Sequence, residues 1–117
     1  MLVAEDNVVN QKVAQGLLKS LGMQAELAGN GREAIEMLNR EHYDVVFMDV
    51  QMPDIDGLEA TRLIRQADQP QPYIVAMTAN VMEDDRRICL AAGMNDFIAK
   101  PIRTDGLTEV LNRIPGV

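Results

Sequence analysis

The sequence predicts an α/β fold: a parallel sheet with helices on both faces. Two observations carry this. Five short apolar or β-rich runs, at 1–4, 25–28, 45–48, 74–77 and 97–99, alternate with longer stretches of helical apolar spacing. Strict alternation of this kind implies parallel strands joined by crossover helices. The second is the central run Val45-Val46-Phe47-Met48, apolar throughout, as a strand covered on both faces requires.

The first strand is followed by a helix in which Val9, Val13 and Leu17 recur every four residues, with Ala14, Leu18 and Leu21 beside them. Gly22 follows as its C-terminal stop. After the second strand, Asn30-Gly31 leads into a helix marked by Ala34, Ile35 and Leu38. Beyond the third strand, Asp54-Ile55-Asp56-Gly57 reads as a turn and helix start, and Leu58, Leu63 and Ile64 mark the helix. Pro70 and Pro72 lie past its end. That tetrapeptide resembles part of a calcium loop, but the acidic residue that closes such a loop is missing. After the fourth strand, Ile88, Ala91 and Ala92 mark a helix closed by Gly93. After the fifth, Leu107, Val110, Leu111 and Ile114 mark one closed by Pro115-Gly116. Met23 and Met94 each follow a helix-ending glycine, where an apolar residue packs back on the helix.

At 117 residues the chain is read as one domain over 1–117, and a hydrophobic fraction of 47% supplies a core. No apolar run is long enough to span a bilayer. The single cysteine, Cys89, excludes an internal disulfide and fits a reducing, cytoplasmic setting; it reads as a small apolar helix residue. The net charge of −7, with no basic run longer than Arg86-Arg87, argues against nucleic-acid binding and direct membrane contact. His42, the only histidine, lies just before the third strand and reads as a surface residue.

In an open parallel sheet, ligands bind beyond the carboxyl ends of the strands. Glu5-Asp6-Asn7 follow the first strand, Asp49 ends the third, Thr78-Ala79-Asn80 follow the fourth, and Lys100-Pro101 follow the fifth. Unit charges about 4 Å apart repel by on the order of 4 kcal/mol at a surface-like dielectric, so clustered carboxylates call for a cation. Hard oxygen ligands suit Mg²⁺ or Mn²⁺. Carboxylates, cation, lysine and hydroxyl together suit a phosphoryl group: charges neutralise its oxygens, the hydroxyl bonds one, and a carboxylate attacks phosphorus.

Four motifs carry a family resemblance. They are Ala4-Glu5-Asp6-Asn7 with Asn10 three residues on, Met48 through Gly57, Met77-Thr78-Ala79-Asn80, and Ala92 through Pro101. In this order and spacing they resemble the receiver domains of two-component signalling, over essentially the whole chain. The resemblance implies a flavodoxin-like (βα)5 three-layer sandwich with a five-stranded parallel sheet in the order 2-1-3-4-5. It implies that Asp49 is the phosphoacceptor in a reaction that the domain itself catalyses. Asp6 holds Mg²⁺ (or Mn²⁺) directly, Glu5 helps through water, Asp49 belongs to the same metal site, and the backbone carbonyl of Gln51 completes the set. Thr78 and Lys100 bind the phosphoryl group, and the Lys100–Pro101 bond is cis. Thr78 and Phe97 form the switch that reshapes the face made by the fourth helix, fifth strand and fifth helix. Gln51 and Asn80 tune the lifetime of the acyl phosphate. Glu5 departs from the aspartate that many receivers carry there.

The first motif, Gln51 and the stretch from Ala92 to Ile102 resemble most the receivers attached to hybrid sensor histidine kinases. The implied partners are a phosphohistidine donor domain and a histidine phosphotransfer domain, docking through the first helix and the loops around Asp49, with Val8, Val9 and Val13 among the apolar contacts and part of that set facing the core. A weak homodimer is compatible with the family. The resemblance also points to a bacterial source. The alternatives are a stand-alone response regulator and a receiver that signals by binding alone. A dinucleotide-binding domain is disfavoured because no glycine-rich loop follows the first strand. An aspartyl-phosphate hydrolase is disfavoured because no second aspartate lies two residues after Asp6.

Overall fold

The computed structural model describes residues 1–52, 55–68, 70–79 and 83–115, the side chain of Glu83 excepted. Strands and helices alternate along it: β1 (Leu2–Ala4), α1 (Val8–Ser20), β2 (Glu26–Ala28), α2 (Gly31–Arg40), β3 (Val45–Asp49), α3 (Gly57–Gln66), β4 (Tyr73–Thr78), α4 (Glu83–Ala92), β5 (Asp96–Ala99) and α5 (Thr104–Arg113). The strands form one parallel sheet in the order 2-1-3-4-5. This is the flavodoxin-like arrangement expected.

The two-residue period of a strand sorts the core into two halves. Leu2, Ala4, Val46, Met48, Ile74 and Ala76 point to one face, where Ala34 and Leu38 of α2, Ala60 and Ile64 of α3, and Cys89 of α4 cover them. Val3, Val45, Phe47, Val75, Met77 and Ile98 point to the other, covered by Ala14 and Leu18 of α1 and Leu107, Val110 and Leu111 of α5. Helices α2 to α4 thus lie on one side and α1 and α5 on the other. All five residues of β3 are buried, as a central strand's must be.

The helix starts obey local chemistry. The side chains of Asn7, Asn30 and Asp56 accept hydrogen bonds from the amides of Asn10, Glu33 and Glu59, satisfying otherwise orphaned donors. Gly22 and Gly93 take positive φ, +83° and +109°. The next residues, Met23 and Met94, donate back to the carbonyls of Leu18 (2.9 Å) and Cys89 (3.1 Å). Met94 is buried and Met23 packs against the core, as expected.

The apolar stripes of three helices differ from expectation. In α1, Val9 and Val13 are exposed (68% and 45%) and Ala14 and Leu18 face the sheet. In α3, Leu63 is exposed while Ala60 and Ile64 are buried. In α4, Ile88 and Ala91 are exposed and Cys89 and Ala92 are buried. In each, one ridge faces the sheet, Ala14 with Leu18, Ala60 with Ile64, and Cys89 with Ala92, and apolar residues on the flanking ridge stay outside. Among the described residues no helix is long and apolar enough to cross a membrane.

Candidate functional site

The strand register brings four carboxyl ends to one edge: Ala4 lies beside Met48, Asp49 beside Met77, and Thr78 beside Ala99. The residues that follow these ends form the site. Glu5 and Asp6 lie between β1 and the Asn7 cap of α1. Asp49 ends β3, Thr78 ends β4, and Lys100 follows β5.

Backbone bonds fix these ends. The Glu5 amide donates to the Ala28 carbonyl (3.0 Å), the Val50 amide to that of Met77 (3.0 Å), and the Lys100 amide to that of Thr78 (2.8 Å). The Gly57 amide returns to the Val50 carbonyl at 3.0 Å. A Cβ on Gly57 would overlap the Asp49 carbonyl, so only glycine lets α3 start this close to the end of β3. The Lys100–Pro101 peptide is cis.

Glu5 and Asp49 are each only 2% exposed, whereas Asp6 is exposed. One oxygen of each carboxylate lies within 4.8 Å of the others. Lys100 Nζ sits between the two buried acids, 3.1 Å from Asp49 Oδ2 and 3.2 Å from Glu5 Oε2. Burial, then the neighbouring Asp49 carboxyl, pushes the Glu5 carboxyl above its usual range. For Lys100, burial alone would lower the ammonium's pKa. Asp49 and then Glu5 outweigh it, and the net direction is upward. One ammonium thus serves two buried carboxylates, while exposed Asp6 gives a cation a route from solvent. A compact group of hard oxygens with one open side fits a small divalent cation.

Of the remaining expected site residues, Gln51 is exposed and its amide donates to Asp49 Oδ1 at 3.2 Å. Thr78 is half-buried at the strand end beside Lys100. Phe97 is half-buried on β5, 4.4 Å in ring-centroid distance from the Arg86 guanidinium of α4. Asn80 lies outside the described residues, as does Asp54. His42 is on the surface, against Asp44 at 2.9 Å. Cys89 is buried, and burial raises its thiol.

Sequence reasoning passed over Gln11 and Arg65. Gln11 Nε2 donates to the Glu5 carbonyl at 2.6 Å. Arg65 donates to the carbonyls of Gly93 and Pro72 (2.8 Å each) and to the Asn95 side chain (2.7 Å), tying α3 to the segments before β4 and β5. A polar residue on a helix carries no periodic signal, so the sequence alone gave no hint of either.

Residues 1–112 match the family described as response regulator receiver domain. The chain is 44% identical over 119 residues to hybrid signal transduction histidine kinase K of Dictyostelium discoideum, covering 95% of this chain and 10% of that kinase. It is 42% identical to a solved receiver domain of a Pseudomonas aeruginosa sensor histidine kinase, with a TM-score of 0.88 over 99% of this chain and 96% of that one. That structure holds a magnesium ion in its active site cleft. A third relative, 31% identical with a TM-score of 0.88 over 97% of this chain and 86% of that one, is a Saccharomyces cerevisiae receiver. It was solved in complex with a histidine phosphotransfer protein. Relatives of similar identity thus come from a slime mould and a bacterium, so the expected bacterial source gains no support over a eukaryotic one. Fold, site geometry and relatives agree: the chain belongs to the response regulator receiver domain family.

Proposed function

We propose that residues 1–117 form one receiver domain in which Asp49 accepts a phosphoryl group from a phosphohistidine. The observation that carries this is the setting of Asp49. It is a buried carboxylate at a strand end, 3.1 Å from Lys100 Nζ and grouped with Glu5 and Asp6. An unneutralised buried carboxylate is costly, and phosphoryl chemistry uses each of these groups.

In the proposed reaction an Asp49 carboxylate oxygen attacks phosphorus. The bond from phosphorus to the donor imidazole nitrogen breaks, and the imidazole leaves with the bonding pair and takes up a proton. Lys100, already between Glu5 and Asp49, moves its charge onto a phosphoryl oxygen. The Thr78 hydroxyl donates to another. Glu5, Asp6 and Asp49, with the Gln51 carbonyl, would hold Mg²⁺ or Mn²⁺, and the cation would supply charge that neutralises the phosphoryl oxygens. Thr78 and Phe97 relay the change to the face of α4, β5 and α5. Gln51 and Asn80 tune the lifetime of the acyl phosphate.

The likeness to hybrid histidine kinases supports a place within such a cytoplasmic kinase portion, with onward transfer to a histidine phosphotransfer protein. The test is an NMR titration with beryllofluoride, a phosphoryl mimic, in Mg²⁺. Saturable shifts at the amides of Asp49, Thr78 and Lys100 are expected. Their absence would move the function to a receiver that signals by binding alone.

A further inference from the structure

Glu5 is held at every polar atom. Its amide donates to the Ala28 carbonyl at 3.0 Å. Its carbonyl accepts from Gln11 Nε2 at 2.6 Å. Oε1 accepts from the Asn7 amide at 3.2 Å and from Asn10 Nδ2 at 3.4 Å. Oε2 accepts from Lys100 Nζ at 3.2 Å. Three of these donors, from Asn7, Asn10 and Gln11, belong to the start of one helix, α1.

The need for such a hold follows from the residue itself. Glutamate has one more rotatable bond than aspartate, so a glutamate in a metal site is harder to orient. Lys100 cannot orient Glu5 alone, because the same ammonium also bonds Asp49. Asn10 restrains the carboxylate, and Gln11 restrains the backbone it grows from. Partners of this kind, one layer behind a ligand, set ligand orientation and metal affinity.

We propose that Asn10 and Gln11 are positioning residues for the cation site, so that the first turn of α1 sets the affinity for Mg²⁺ by fixing Glu5. The inference rests on the reading of Glu5, Asp6 and Asp49 as cation ligands.

The test titrates Mg²⁺ alone into the protein and follows the backbone amides of Asp6, Asp49 and Lys100 by NMR. The variants are Gln11→Leu and the double change Asn10→Ala with Gln11→Leu. Gln15→Leu is the control: Gln15 makes the same kind of bond from the same helix, to the Ala25 carbonyl at 2.9 Å, away from the cluster. The double variant should bind Mg²⁺ about 10-fold more weakly, with Gln11→Leu between it and wild type and Gln15→Leu near wild type. At saturating Mg²⁺, its phosphorylation by acetyl phosphate should return to the wild-type rate, so that only the cation dependence moves. Unchanged Mg²⁺ affinity in both Gln11 variants overturns the inference. Equal weakening by Gln15→Leu also overturns it, since the effect would then be general loosening of α1. Wild-type protein that binds no Mg²⁺ overturns the cation reading itself, which separates the two failures.

Discussion

Lys100 stands between Glu5 and Asp49, and each contact is a charge-assisted bond in a place where solvent hardly reaches. Removing one partner of such a group strands the others, so the three residues act as a unit. A second polar contact, part-buried and remote from the site, obeys the same electrostatics. The Tyr43 hydroxyl packs against the Glu26 carboxylate and lies 3.3 Å from that of Glu41. Burial, then these two carboxylates, raises the phenol well above its usual value. Above a pH of about 10 the unfolded chain therefore sheds this proton while the folded chain keeps it, and folding stability falls as pH rises. Tyr43→Phe should flatten that fall in denaturant titrations from neutral to alkaline pH. An unchanged slope would mean that the hydroxyl is not held as described.

Among the elements, the start of α3 lies hard against the end of β3. Gly57→Ala would drive a methyl group into the backbone of Asp49 and Val50. Overpacking of this kind costs about 1–3 kcal/mol, and here the strain falls on Asp49, the proposed acceptor. The variant should lose stability in urea melts and also phosphorylate more slowly under conditions where it remains folded. Normal phosphorylation by the folded variant would show that β3 absorbs the shift. Helix α1 makes a different prediction. Its exposed Val8, Val9 and Val13 beside the acidic cluster offer an apolar docking surface. Val9→Asp, at a position 68% exposed, should slow transfer from a phosphohistidine protein at least several-fold. Its transfer from acetyl phosphate should match wild type. Equal loss with both donors would remove α1 from docking.

For the whole molecule, the sheet is a device that brings residues far apart in sequence to one edge. Lys100 meets Glu5 across 95 positions of chain. This much was legible in the sequence, because strand alternation and the residue after each strand depend on local chemistry: an apolar run, a cap, a glycine. The all-apolar run 45–48 announced a central strand, and Asp49 stood out as a carboxylate at its buried end. What was not legible depends on packing. Which of Val9, Val13 and Leu17, or of Ile88, Ala91 and Ala92, face the sheet could not be read, because an apolar residue on the flanking ridge has the same spacing as one on the contact ridge. Packing in the fold put Ala14, Leu18, Ala60, Ile64, Cys89 and Ala92 on the ridges that face the sheet. Gln11 and Arg65 were missed because a long polar side chain can reach several carbonyls, and only the folded backbone shows which.

As proposed, this edge exists to phosphorylate Asp49. The measurement that tests it most directly is intact-protein mass after incubation with acetyl phosphate and Mg²⁺, on wild type and Asp49→Asn. One added phosphoryl group on wild type, absent from Asp49→Asn and lost when the metal is chelated, is the predicted result. An adduct that persists in Asp49→Asn, or none on wild type, would contradict the account.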